Sequence, residues 1–302
     1  MNRAQDAAKA WGGTVQRLLS HRENAVYEMR LPDGSKAALR QHRPGYQGVD
    51  SINDELVWTA ALADQGFPCP RPLQTQDGAL LISQDDHAFS AVSWVDATPV
   101  AGQGLDPDAW VKTFHALGGL LAQMHRLTDA MPDVGASRPS WALDGLTGAD
   151  PLWGRYWESP GAGDPRCAKL LAARDVARAW LSDQTGFEQG LIHADALGEN
   201  VMGSPDDLWL IDFDDSGHGY RLFDLGVALT QHWDQEYLPD IAHSLLAGYG
   251  ATDVPMEDLL RFMTLRCLAS AGWLQGRIAL DDPQRDRYIN RAVSCAERYF
   301  RV

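Results

Sequence analysis

The sequence changes its repeat near residues 93–105, and that change limits the folds open to it. On the C-terminal side, Trp110, Phe114, Leu117, Leu121 and Met124 step by four, three, four and three residues, the spacing of one apolar helical face. Further helices are expected at about 167–181, 223–237, 239–249, 255–275 and 283–299. On the N-terminal side, extended runs dominate. Residues 25–31 and 36–42 flank Pro32-Asp33-Gly34-Ser35 and read as a hairpin. Residues 50–65 carry one helical face of Ile52, Leu56, Thr59/Ala60 and Ala63, closed by Gly66 and by Pro68, Pro70 and Pro72. Two more strands are expected at 79–82 and 89–95. The pattern predicts an α+β chain: a small β-rich N-lobe with one helix, residues 1–95, and a larger, mostly helical C-lobe, residues 96–302.

Charge and cysteine usage narrow the function. Twenty-six basic against 41 acidic residues leave a net charge of −15. That balance disfavours nucleic acid and anionic membranes as partners and leaves a small molecule as the expected one. No apolar run approaches a spanning helix and the first residues lack the apolar stretch of a signal peptide, so a cytoplasmic location is expected. Cys69, Cys167, Cys267 and Cys295 are far apart and form no CxxC, as expected of reduced, buried thiols. The sequence does not fix an oligomeric state.

Two short apolar runs inside the helical region end in polar residues. The first, 190–192, leads into His193-Ala194-Asp195-Ala196-Leu197-Gly198-Glu199-Asn200; the second, 208–211, leads into Asp212-Phe213-Asp214-Asp215. Asp195 and Asn200 have the spacing of the kinase loop H-R-D-x-x-x-x-N, whose Asp accepts the substrate hydroxyl proton and whose Asn holds magnesium. Asp212-Phe213-Asp214 stands where a kinase has D-F-G, whose Asp binds Mg²⁺. Magnesium takes hard oxygen ligands, one or two carboxylates with phosphate oxygens, which these residues supply. An EF-hand loop starting at Asp212 fails at its twelfth position, which is Phe223 and not Glu. Zinc-ligand spacing, a G-x-S-x-G elbow and a G-x-x-x-x-G-K-[ST] loop are all missing.

The run from Leu191 through Asp195, Asn200 and Asp212 to Phe223-Asp224-Leu225 resembles the aminoglycoside phosphotransferase and choline kinase superfamily, whose members carry H-G-D-x-H-x-x-N, then I-D-F-D/E and a Y/F-D-L. The nearest branch is that of type II homoserine kinases, hydroxylysine-type kinases and stress-response kinases. The resemblance implies a bilobal protein-kinase-like fold and transfer of the ATP γ-phosphate to an alcohol. It implies Asp195 as catalytic base, Asn200 and Asp212 as Mg²⁺ ligands, and Asp214 assisting a second ion. Arg40, in Ala37-Ala38-Leu39-Arg40, stands in the slot of the strand Lys, with Glu55 as its helix partner and Lys36 as the fallback cation. Asn24 ends the segment 20–24, where the family places its nucleotide-covering loop. Ser93, Trp94 and Val95 resemble the hinge that reads adenine. His193 and Asp224 would support the catalytic loop.

Two departures stand out: Ala194 replaces the usual Gly, and Leu197 replaces the family's second His. The acceptor pocket is expected after Phe223, with Gln231, Trp233, Asp234, Arg266 and Trp273 as candidates. Asp234 and Trp233 suit an ammonium group and Arg266 a carboxylate, which points to an amino acid, amino alcohol or amino sugar. A protein Ser/Thr kinase of the stress-response type and a nucleotide-binding pseudokinase are the alternatives.

Overall fold

The computed structural model describes residues 2–21, 24–131 and 133–302. The backbone divides into two compact units. The first comprises Met1–Thr98, Met131–Arg138 and Trp209–Asp214; the second holds Pro99–Ala130, Pro139–Leu208 and Asp215–Val302. The sequence boundary at residue 95 lies close to Thr98, but the first unit also draws on two later segments.

The first unit is built on one antiparallel sheet. Helix α1 (Asn2–Ala8) precedes strands β1 (Thr14–His21), β2 (Ala25–Arg30) and β3 (Lys36–Gln41), helix α2 (Val49–Asp64), and strands β4 (Leu81–Gln84) and β5 (His87–Ser93). The sheet order is β1-β2-β3-β5-β4. Period-two alternation drives one face inward: Tyr27 lies opposite Leu39, and Leu39 opposite Ala91. With Met29, Ala37 and Phe89 they form a core closed by Ala4, Ala8 and Trp11. The same alternation sends Arg40 to the other face, where α2 presents Glu55. Strand β1 was not legible in the sequence. It is an edge strand whose Leu18 and Leu19 are exposed, so the inside-outside alternation is missing.

The second unit is mainly helical. It runs through α3 (Pro107–Asp129), β6 (Ser140–Trp141), α4 (Leu143–Thr147), α5 (Arg166–Asp183), β7 (Gln189–Ile192), β8 (Val201–Ser204) and the start of β9 (Asp207–Leu210). It continues with β10 (Gly217–Tyr220), α6 (Arg221–Leu229), α7 (Leu238–Tyr249), α8 (Met256–Trp273) and α9 (Pro283–Tyr299). Asp106 caps α3 by accepting from the Ala109 amide. The two apolar runs read from the sequence are strands, but not partners of each other: β7 pairs with β10, and β9 with β8. The helix expected over 223–237 stops at Leu229 and tightens into a 3₁₀ turn at Thr230–His232. Asp234, Gln235 and Glu236 beyond it are exposed and offer no apolar face to extend the helix. Gly226 of α6 lies so close to α8 that a Cβ would meet the Met263 nitrogen at 2.5 Å. Cys69, Cys267 and Cys295 are buried free thiols, as expected, whereas Cys167 is partly exposed. Among the described residues no helix is long and apolar enough to cross a membrane.

Candidate active site

The loop after β7 is held from beneath by one buried carboxylate. Asp224, in the first turn of α6 and fully buried, accepts from the His193 amide at 2.9 Å and the Ala194 amide at 2.5 Å. His125 of α3 approaches the same carboxylate at 3.0 Å and is itself tied to the Tyr249 hydroxyl. This is an anion met by three donors from two segments, the arrangement that makes a buried charge tolerable. It holds Ala194 at φ +63°, a left-handed conformation that an L side chain enters at about 1–2 kcal/mol. The position explains why the resembling family has glycine there.

Asp195 emerges from that turn with its carboxylate already engaged. The Asn200 amide nitrogen donates to Asp195 Oδ2 at 2.7 Å and to the Asp195 backbone carbonyl at 2.9 Å. Because the nitrogen faces Asp195, the amide oxygen of Asn200 faces elsewhere, an oxygen of the kind that magnesium takes. Arg266 of α8 donates to the other oxygen, Asp195 Oδ1, at 2.6 Å. Gln231 grips the far part of the loop, accepting from the Gly198 amide and donating to Glu199.

The first unit carries a second constellation. Phe213 is buried edge-on against Trp58, ring centres 5.2 Å apart, and so fixes the carboxylates on either side of it. Asp212 has 47% of its side chain exposed and sits at φ +64°; Asp214 is buried. Arg40 reaches Asp212 Oδ1 at 2.7 Å, Glu55 Oε1 at 3.0 Å and Asp214 Oδ1 at 3.8 Å. Burial opposes the Arg40 charge, but Asp212, Glu55 and Asp214 outweigh it and hold its pKa above the ordinary range. Arg138, also buried, donates to Ser51 and to the Phe213 and Asp214 carbonyls. Asn24 donates to Asp214 Oδ2 while accepting from the Arg43 amide.

Negative charge is in surplus here. Glu55 Oε2 and Asp214 Oδ1 are buried and accept no hydrogen bond among the described residues. Burial, then the charge of Glu55, pushes Asp214 up to about 7, with Arg40 pulling the other way. His42 brings no relief, because burial and the Arg40 and Arg138 charges push its pKa down to about 3. Orphaned carboxylate oxygens fit a bound cation. Among the described residues no three His, Cys, Asp or Glu side chains group to hold a metal by themselves.

The family model described as the phosphotransferase enzyme family matches residues 14–262. The chain belongs to that family. It is 28% identical to a microcompartment-associated aminopropanol kinase, with a TM-score of 0.83 over 99% of this chain and 97% of that one. An amicoumacin kinase at 19% identity, covering 93% of this chain and 87% of its own, shows the same protein-kinase-like α+β fold with a TM-score of 0.74. A homoserine kinase of Rhizobium johnstonii is 29% identical over 205 residues, 65% of this chain and 59% of that enzyme. The phosphotransferase is thus a small-molecule kinase with an alcohol as acceptor.

The sequence-predicted residues of this kinase fall into several groups. Arg40, Glu55, Asp212, Asp214 and Asn24 share one cluster. Asp195, Asn200, Arg266, His193 and Asp224 share another through the contacts given above. Lys36 is not Glu55's partner: it lies over the Trp94 ring at 4.9 Å and near Glu28. Ser93 exchanges hydrogen bonds with the Arg71 backbone, and Trp94 and Val95 are half-buried. Arg22 and Glu23 of the expected nucleotide loop lie outside the described residues. Trp273 stacks on Tyr288 of α9, Trp233 is half-buried, and Asp234 is exposed beside Gln235. Arg138 and His125 were not found from sequence. Arg138 had no motif, but His125 sits four residues after Leu121 on the apolar face of α3, a polar residue where only packing was expected.

Proposed function

We propose that the protein transfers the γ-phosphate of ATP·Mg²⁺ to the hydroxyl of a small amine-bearing metabolite, an amino alcohol, hydroxy amino acid or amino sugar. Asp195 orients the acceptor hydroxyl and takes its proton. Arg40, set by Glu55, positions the triphosphate. Asn200 and Asp212 are the Mg²⁺ ligands, with Asp214 as a second-ion partner. When bound, Mg²⁺ neutralises charge on the phosphate oxygens. Ser93, Trp94 and Val95 serve adenine, and Asn24, also assigned to the nucleotide, holds Asp214. Trp233, Asp234 and Trp273 are assigned to the acceptor.

The observation that carries this reading is the Asp195 carboxylate, held by Asn200 on a loop braced by Asp224. Phosphoryl transfer asks little covalent chemistry of a protein and much positioning, and this carboxylate is positioned before any ligand arrives. Homoserine and aminopropanol, the acceptors named for two relatives, are both small amines with a hydroxyl, and a net charge of −15 favours a cationic acceptor.

The test is a panel of amino alcohols, hydroxy amino acids and amino sugars, homoserine and aminopropanol included, read by coupled ADP release. Acceptor-dependent release is expected, and Asp195→Asn is expected to lower it by about 10²–10⁴ with ATP affinity retained. Full turnover in Asp195→Asn ends the reading.

A further inference from the structure

We propose that Arg266 is a positioning residue for the phosphotransfer, fixing the orientation of the Asp195 carboxylate and doing so only because Trp153 and Ser270 hold its own guanidinium. The proposal rests on the reading of Asp195 as the base.

The need for such a residue follows from the side chain. The terminal torsion of an aspartate is broad, so one hydrogen bond leaves its carboxylate free to rock. Asn200 holds Oδ2; Arg266 holds Oδ1 from another element, α8, at 2.6 Å. Donors on both oxygens leave one orientation, and with it one direction for the lone pair that meets the acceptor hydroxyl. A misplacement of about 1 Å can lower a rate some 10²-fold.

Arg266 is built for this task. Its side chain is 6% exposed, so it is not a surface arginine that happens to reach a carboxylate. Its guanidinium lies over the Trp153 ring at 4.4 Å, a contact that favours the cation and defines its plane. The Nη1 donates to Ser270 Oγ at 2.6 Å, and that hydroxyl donates back to the Arg266 carbonyl, closing a clasp one helical turn long. The backbone beneath is equally constrained. Gly226 lets α6 touch α8 at Met263, just before Arg266. Gly272 lets α8 touch the Trp153 loop just after it, where a Cβ would meet the Trp153 carbonyl at 2.8 Å. Trp153 is edge-on to Trp141, whose indole donates to the Asp215 carbonyl. A packed column therefore runs from Asp215 through two indoles and one guanidinium to Asp195. Two of its donors meet Asp195 and Ser270, which ties Arg266 to the base.

The experiment uses the full chain and the panel alcohol that supports turnover, with water as acceptor and slow ADP release as the readout if none does. Arg266→Ala is expected to lower kcat about 10- to 100-fold with the KM for ATP within about twofold of wild type. Added guanidinium chloride at non-denaturing concentration is expected to restore part of that loss, and Arg266→Lys to fall between the two. Trp153→Leu is expected to lower kcat and Trp153→Phe to spare it, since the phenyl face keeps the stack. Wild-type kcat in Arg266→Ala overturns the proposal. So does a loss that guanidinium leaves untouched and Lys does not ease, with a lowered melting temperature, since that is a packing role. If Arg266→Ala does not fold, the Trp153 pair decides by the same kcat comparison. Full turnover in Asp195→Asn would instead remove the reading beneath it, whatever the arginine variants do.

Discussion

The two carboxylate clusters of this kinase are opposites in how their charge is met. Around Asp195 and Asp224 the chain supplies the donors itself: backbone amides, His125, Asn200 and Arg266. Around Arg40 it supplies them only in part: Arg40 and Asn24 meet one oxygen each of Glu55, Asp212 and Asp214, and Glu55 and Asp214 each keep a buried oxygen that accepts no hydrogen bond among the described residues. A carboxylate provided with donors is a fixed tool; one left short of them is a receptor for charge brought by a ligand. Under the proposed function the first cluster holds the base and the second meets the triphosphate.

The largest effect that separates them is on stability. Asp224→Ala removes the acceptor of two amides and a histidine from a fully buried spot and is expected to destabilise the protein by about 3–5 kcal/mol in urea unfolding. A loss below about 1 kcal/mol would mean that the loop is not held by this carboxylate.

A smaller effect of opposite character is expected at Asp214. Its folded pKa, about 7, lies above the usual 3.8, so the folded protein binds this proton more tightly than the unfolded chain does. The stability so gained is complete below about pH 4 and is lost as pH rises through about 7. Asp214→Asn carries no such proton. In the absence of nucleotide, its urea midpoint is therefore expected to gain on the wild type as pH rises across that window, and added Mg·ATP to narrow the gap. Parallel pH curves for the two proteins would show that the Arg40 cluster is as well satisfied as the other.

The smallest effect belongs to the turn between Asp224 and Asp195. Ala194→Gly removes the left-handed strain at φ +63° and is expected to stabilise by about 1 kcal/mol, read as a rise in melting temperature with the rate unchanged. A destabilised glycine variant would contradict the account of why this position favours glycine.

The sequence exposed these clusters unequally. Asp195, Asn200, Asp212 and Asp214 could be singled out because the kinase pattern fixes their spacing along the chain, and the structure ties Asn200 to Asp195 and both Asp212 and Asp214 to Arg40. Arg40 and Glu55 were legible together because strand alternation and a helical face set each one's direction, and the structure joins them at 3.0 Å. Arg138 was not, since its role depends on a segment returning to the first unit, which no local pattern records. Arg266 was seen as a pocket residue, but its bond to Asp195 was not foreseen, because nothing in one helix reveals which loop its side chain will meet. The edge strand β1 and the early end of α6 escaped for a simpler reason: exposed residues carry no periodic signal.

The first unit is not contiguous along the chain. Trp58, fully buried, waits for Phe213, and Ser51 waits for Arg138. During synthesis its ninety-odd leading residues leave the ribosome long before their last partners do, at roughly 5–20 residues per second. Until those partners have emerged, helix α2 is without Arg138 and Phe213, and a protein cut after Thr98 would never acquire them.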